Sequence, residues 1–160
     1  MPRSSSKKPP EPIEFFLDRS MGRRVFADVL HAHGLGILVH DEVFAQDTPD
    51  EVWIRDVAGR GLVAVTRDTR IGRSPTELHA VYASGLRMIA IVGGGVPAAT
   101  LARNFVNAYP AILRFVERHP GPFIARLSRP GEESVLAAGG HGPLRMYKSR
   151  DDLLAQFGGS

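Results

Sequence analysis

The chain has 160 residues, 43% of them apolar and 23% charged, the balance of one ordinary folded domain rather than of a disordered or membrane-embedded chain. Twenty Lys and Arg against seventeen Asp and Glu leave a net charge of +3, and with only three lysines (Lys7, Lys8, Lys148) that basicity is nearly all arginine, whose planar fork suits phosphate. The absence of cysteine excludes disulfides, thiolate zinc sites and cysteine nucleophiles.

Residues 1–12, MPRSSSKKPPEP, read as a disordered arm, since they lack the apolar core of a secretory signal. IEFFLD (13 to 18) is the first expected strand. Ser20 stands where an N-cap would, before a helix over about Met21 to His33 with Val25, Val29 and Leu30 on one face and Gly34 at its end. GILVH (36 to 40) is the second strand, with His40, Asp41 and Glu42 forming an acidic end to it.

After a loop through Phe44, TPDEVWIRDVAGRG predicts a helix with Thr48 as cap, Pro49 as first helical residue and Glu51 in a capping box. LVAVT (62 to 66) is the third strand. The basic loop RDTRIGR leads to a helix over about Pro75 to Ala83, and RMIAIV (87 to 92) is the fourth strand. GGGVP then opens a helix over about Pro97 to Arg118, which Pro110 is expected to kink or divide because it has no amide proton. FIARLS (123 to 128) is the fifth strand. From Arg129 the pattern dissolves into Gly, Pro and charge, apart from a short helix at 150 to 157.

Strands alternating with helices predict an α/β three-layer sandwich with a mainly parallel sheet, suggested order 2-1-3-4-5, flanked by helices. The expected division is an arm at 1–12, a domain at 13–128 and an extension of undefined role at 129–160. The longest uncharged stretch, Met88 to Ala102, is too short to cross a bilayer and carries three glycines and a proline, so the expectation is a cytoplasmic protein without membrane contact.

Ligands of open α/β sheets bind beyond the carboxyl ends of the strands, where the strand order reverses. In the order 2-1-3-4-5 that point lies between strands one and three, so Asp18 and Asp68, fifty residues apart in sequence, face one crevice. The helix after strand two starts on the same rim and adds Asp50 and Glu51. Converging carboxylates suit a hard cation, Mg²⁺ or Mn²⁺, and metal-assisted phosphodiester hydrolysis. Each acid also has a plainer reading: a turn or cap for Asp18, a capping box for Glu51, and a turn beside Arg67 and Arg70 for Asp68. Arg19, Arg23, Arg24, Arg67, Arg70 and Arg73 fall on the same rim, either to grip a phosphate backbone or to pair with the acids.

FFLDRSMGRR, TPDEVWI and VAVTRDTRI, in that spacing, resemble the compact PIN-like domains grouped with VapC-type toxin ribonucleases, with the similarity running over about residues 13 to 128. The resemblance implies a magnesium- or manganese-dependent RNA endonuclease, often the toxin of a bacterial toxin and antitoxin pair, with RNA as substrate and an antitoxin protein as partner; a homodimer stays open. Carried over by position, Asp18 is like the first-strand acid, Asp50 the helix-start acid and Asp68 the acid of the TRD block. Relatives with DEN after the first strand have an acid where this chain has Arg19, and those with TRDKDF have one where it has Arg70. The alternative is a catalytically inactive PIN-like module that binds RNA or protein. A haloacid dehalogenase-type phosphotransferase needs a second aspartate where Ser20 stands.

Overall fold

Successive side chains of a strand point to opposite faces, so EFFL at Glu14–Leu17 (β1) sends Phe15 and Leu17 into one core and Phe16 into another, all fully buried. A strand apolar on both faces belongs at the centre of a covered sheet. The computed structural model describes residues 12–22, 24–93, 95–128 and 144–158, and in it β1 lies between Gly36–Val39 (β2) and Val63–Thr66 (β3), parallel to both. Arg87–Ile91 (β4) and Phe123–Leu127 (β5) continue the parallel sheet, and Leu144–Lys148 (β6) closes it antiparallel to β5. The order is β2-β1-β3-β4-β5-β6. The expected order 2-1-3-4-5 is therefore realised, with a sixth strand that LRMYK did not announce, because alternating charge weakens its apolar pattern.

One face of the sheet is covered by Val25–Ala32 (α1) and Ala98–Arg118 (α5), which pack on each other around Phe15, Phe26, Leu30 and Phe105. Phe105 stands edge-on to both Phe15 and Phe26, with centroids 5.0 and 5.6 Å away. The other face carries Asp50–Gly59 (α3), Pro75–Ser84 (α4) and Arg150–Phe157 (α6) around Phe16, Trp53, Ile54, Val57 and Leu78. Those are the three expected layers. A short helix, His40–Val43 (α2), follows β2 directly, where a loop was expected.

Several local expectations give way to tertiary contacts. Ser20 does not cap α1: a 3₁₀ turn at Arg19–Met21 intervenes, α1 begins four residues later than expected, and Val25 is 52% exposed while Phe26, Ala27 and Leu30 are buried. The capping box of α3 is absent, since Pro49 takes the N-cap position with no side-chain bond. Pro110 neither divides nor ends α5, which runs 21 residues as one element. Its strongly amphipathic sequence buries Leu101, Phe105, Ala108, Ile112 and Val116 along one stripe, and that burial outweighs the lost amide bond. By contrast α4 begins and ends as its sequence implies, with Ser74 accepting from the Glu77 amide and Gly85 in the left-handed conformation.

Removing the ring at the meeting point of α1, α5 and β1 leaves a cavity that these rigid elements cannot close. Phe105→Ala is expected to cost about 3–5 kcal/mol with an unchanged denaturant slope, measured by urea unfolding.

Candidate functional site

The strand registers align one polar row across the carboxyl end of the sheet. Leu17 pairs with Val39 and Val65, so the next residues, Asp18, His40 and Thr66, stand side by side, and Thr66 pairs in turn with Ala90 and Ala90 with Arg126. Asp18 alternates with Leu17 and so shares the face of Phe16, beneath α3 and α4.

Asp18 is 7% exposed and fully engaged on its inner side. Its Oδ1 accepts from the Ser20 amide at 3.0 Å and the Ser20 hydroxyl at 2.5 Å, and its Oδ2 accepts from the Thr66 hydroxyl at 2.6 Å. The network reaches onward. Ser20 Oγ accepts from the Arg67 amide at 2.7 Å, and Thr66 Oγ1 accepts from the Asp68 amide at 3.0 Å. Burial pushes the Asp18 carboxyl above its ordinary range; the Ser20 and Thr66 hydrogen bonds oppose that rise, and the nearby charge of Asp50 adds to it. The plainer reading of Asp18 as a turn former therefore holds locally, and the same turn fixes its carboxylate at the rim.

Asp50, at the first position of α3, receives the Trp53 indole N–H and an Arg19 guanidinium N–H, both at 2.8 Å on Oδ1. Arg19 also donates to the Gln46 carbonyl. Partial burial pushes Asp50 up, but hydrogen bonds from Glu77, Trp53 and Arg19 outweigh it and hold the carboxyl below its usual range. Asp68 caps a 3₁₀ turn, accepting from the Arg70 amide at 3.0 Å and from the Arg70 guanidinium at 3.0 and 3.3 Å. The Arg70 side chain holds it low, against partial burial and the charge of Asp50. Glu51 is half-buried at the second position of α3, and its charge bears on Glu77.

Glu77 was not among the expected site residues. It sits in the first turn of α4, its carboxyl bonded to that of Asp50. Partial burial, that bond and repulsion from Asp50, Asp68 and Glu51 raise its pKa to about 8. SPTE reads in the sequence as a helix start with a capping glutamate, and that local explanation hides the outward role. Only the pairing of α3 with α4 brings residue 77 to residue 50.

The rim arginines divide. Arg19 and Arg70 are paired with Asp50 and Asp68. Arg67 reaches back to the carbonyls of Gly93 and Val96 at 3.4 and 3.2 Å, tying the GGGVP loop to β3. Arg24 and Arg73 are exposed, and Arg23 lies outside the described residues. Beside Asp18 a cleft of about 340 Å³ opens between β1 and β2, lined by Asp18, Arg19, Gly22, Val39, His40, Asp41 and Gln46. His40, 1% exposed, contacts Asp41 Oδ1 through Nδ1 at 3.0 Å, and its Nε2 has no hydrogen-bond partner among the described residues.

Five acids thus gather on one rim, in segments that share a known pattern: a model described as a PIN-like domain matches residues 13–93, just over half of the chain. The chain belongs to the PIN-like domain family. With membership in that PIN-like family comes nuclease potential, at the level of the family. Comparison with curated proteins and with solved structures returned no match. No helix among the described residues is long and apolar enough to cross a membrane.

PIN-like domains generally use divalent metal ions, and the donor set bears on whether this one suits such an ion. Among the described residues no group of three or more acids or histidines is arranged to hold a metal ion. Asp50 and Glu77, however, form a carboxyl pair in which partial burial, the contact with Asp50 and the neighbouring carboxylates raise Glu77 while Asp50 is held low. A magnesium-type ion needs one or two carboxylates, with water and substrate phosphate completing its shell. The pair fits such an ion in donor chemistry, with Asp18 and Asp68 at its flanks.

Glu77 remains protonated in the folded state up to about pH 8, whereas in the unfolded chain it ionises near its ordinary 4.5. The unfolded state therefore binds fewer protons between those values, and this group's contribution to stability falls as pH rises through the window. Glu77→Gln is expected to remove that decline, so its melting temperature exceeds that of wild type most at pH 8 in chelator and least at pH 5, read from thermal melts across the range.

Proposed function

We propose that the protein is a divalent-metal-dependent endoribonuclease, the toxin of a bacterial toxin and antitoxin pair, with Asp18, Asp50 and Asp68 as its catalytic acids and Glu77 as a fourth. The observation that carries this reading is the crowding of carboxylates on the rim of a PIN-like sheet, which together with partial burial raises Glu77 to about 8. Asp50 and Glu77, flanked by Asp18 and Asp68, would hold Mg²⁺ or Mn²⁺, with Glu51 adding negative charge. When bound, such an ion offsets charge building up on a phosphate and acidifies water beside it.

The chain's own groups do the rest. Glu77 would release its proton to solvent, and its carboxylate would then stand beside that of Asp50 as a second donor for the cation. Asp18, anchored by Ser20 and Thr66, keeps its position while this happens. Arg19, released from Asp50, and Arg70, released from Asp68, turn to the phosphates, together with Arg23, Arg24 and Arg73. Their fork geometry orients the strand so that water attacks phosphorus opposite the leaving oxygen. Phosphate contacts position a strand without reading its bases. An antitoxin protein covers the same arginine-lined rim.

The pairing of Arg19 with Asp50 and of Arg70 with Asp68 favours a second reading, in which arginines stand in place of the cation and the domain binds RNA or protein without cutting. Two measurements separate the readings. Mn²⁺ is expected to raise the melting temperature of wild type and not of Asp18→Ala with Asp68→Ala. Purified protein with Mn²⁺ is expected to cut cellular RNA, with Asp18→Asn at least about a hundredfold slower. Equal cutting by wild type and Asp18→Asn would remove the assigned chemistry, and metal-independent melting with no cutting would leave the binding module.

A further inference from the structure

The far end of the polar row lies outside the segment that matches the PIN-like model, on the two strands added at the sheet's edge. Arg126 of β5 and Arg145 of β6 are paired across the antiparallel ladder. Directly opposed like charges destabilise a strand pair, and neither arginine has a carboxylate partner among the described residues. Arg126 is only partly exposed, and its Nε is buried without a hydrogen-bond partner among the described residues. Its guanidinium carbon sits 3.6 Å over the ring of Tyr147, and Lys148 Nζ lies 5.5 Å from the same ring. Lys148 also feels the charge of Asp152, so among the described residues the pair without a carboxylate partner is Arg126 with Arg145.

This patch is joined to the candidate site. Arg126 shares the face of Ile124, and hence of Phe16 and Asp18. Three strand spacings separate it from Asp18 along the row, about 14 Å at roughly 4.8 Å each. Thr66 and Ala90, both buried, stand between them in the row. Tyr147 packs against Gly72, where an added Cβ would come within 2.3 Å of Cε2, so the ring is seated on the turn that carries Arg70 and Arg73. Guanidinium groups without anions, next to an aromatic face, match the chemistry of single-stranded nucleic acid, which brings phosphates and stacking bases together.

We infer that Arg126, Arg145 and Tyr147 form a backbone-binding subsite that holds the RNA strand at a distance from the scissile phosphate, Arg126 and Arg145 taking phosphate oxygens and Tyr147 the adjoining base. The choice of RNA rests on the nuclease reading; the existence of an anion-binding subsite does not. It gives the C-terminal strand a role in gripping substrate, and it makes the bound strand run across the sheet from β1 toward β6.

The test is fluorescence anisotropy on the full-length chain carrying Asp18→Asn, in chelator, with a labelled single-stranded RNA of about 16 nucleotides. Arg126→Gln with Arg145→Gln is expected to raise Kd at least about tenfold and to lower the slope of log K against log salt by about 1.4, two phosphate contacts' worth. Tyr147→Leu is expected to raise Kd with the salt slope unchanged, and Arg145→Gln alone, at an exposed position, to lower the slope by about 0.7. Circular dichroism melts check that each variant is folded. Folded Arg145→Gln with wild-type Kd and slope would overturn the subsite. Competition by polyglutamate as effective as by RNA would overturn the nucleic-acid assignment in favour of an acidic protein. If wild type cuts no RNA yet the slopes change as stated, the nuclease reading fails and the subsite stands.

Discussion

A buried carboxylate at the end of a central strand organises this rim. Asp18 is desolvated, and a charge in that position is tolerated only where hydrogen bonds replace the lost water. Ser20 and Thr66 supply them, and those same two hydroxyls accept the amides of Arg67 and Asp68. The bonds that keep Asp18 in the fold thereby tie the turn after β1 to the turn after β3. Each turn is a short 3₁₀ segment, which alone gives few backbone bonds, so the spacing of the acids at the rim depends on this network.

Around that anchor, charge is balanced in an unequal way. Arg19 leans on Asp50 and Arg70 on Asp68, leaving Glu77 to face three neighbouring carboxylates with a proton as its compensation. A proton is a replaceable cation, and so is a guanidinium at an exposed surface, where an ion pair is worth little. The rim is thus built from acids whose partners leave easily, which suits a site that exchanges cations. His40, buried beside Asp18 with one nitrogen on Asp41 and the other without a partner among the described residues, places a further polar atom against the same cleft.

The layers and strand order were legible in the sequence because apolar runs and helical periodicity are local signals that burial on two faces amplifies. FFL read as the first strand, and the helix expected over about Pro75 to Ala83 is realised as Pro75–Ser84. Signals failed where two local explanations competed. Ser20 and Thr48 both looked like caps. Ser20 instead spends its hydroxyl on Asp18 and Arg67, and Pro49 takes the position ahead of α3. Pro110 looked like a break because helix rules consider its missing amide and not the stripe of large apolar side chains around it.

The sequence by itself determined that the chain would form a mainly parallel α/β sheet with acids and arginines at the carboxyl ends of its strands, since residue type and period decide which segments are strands and which side chains end them. The tertiary structure alone decided which of those charges meet. Asp50 joins Glu77 only because α3 packs on α4, and Arg126 opposes Arg145 only because a last strand turns back along β5. Such pairings depend on interactions between segments far apart in the chain. Their energies depend on distance and desolvation, which no local pattern encodes.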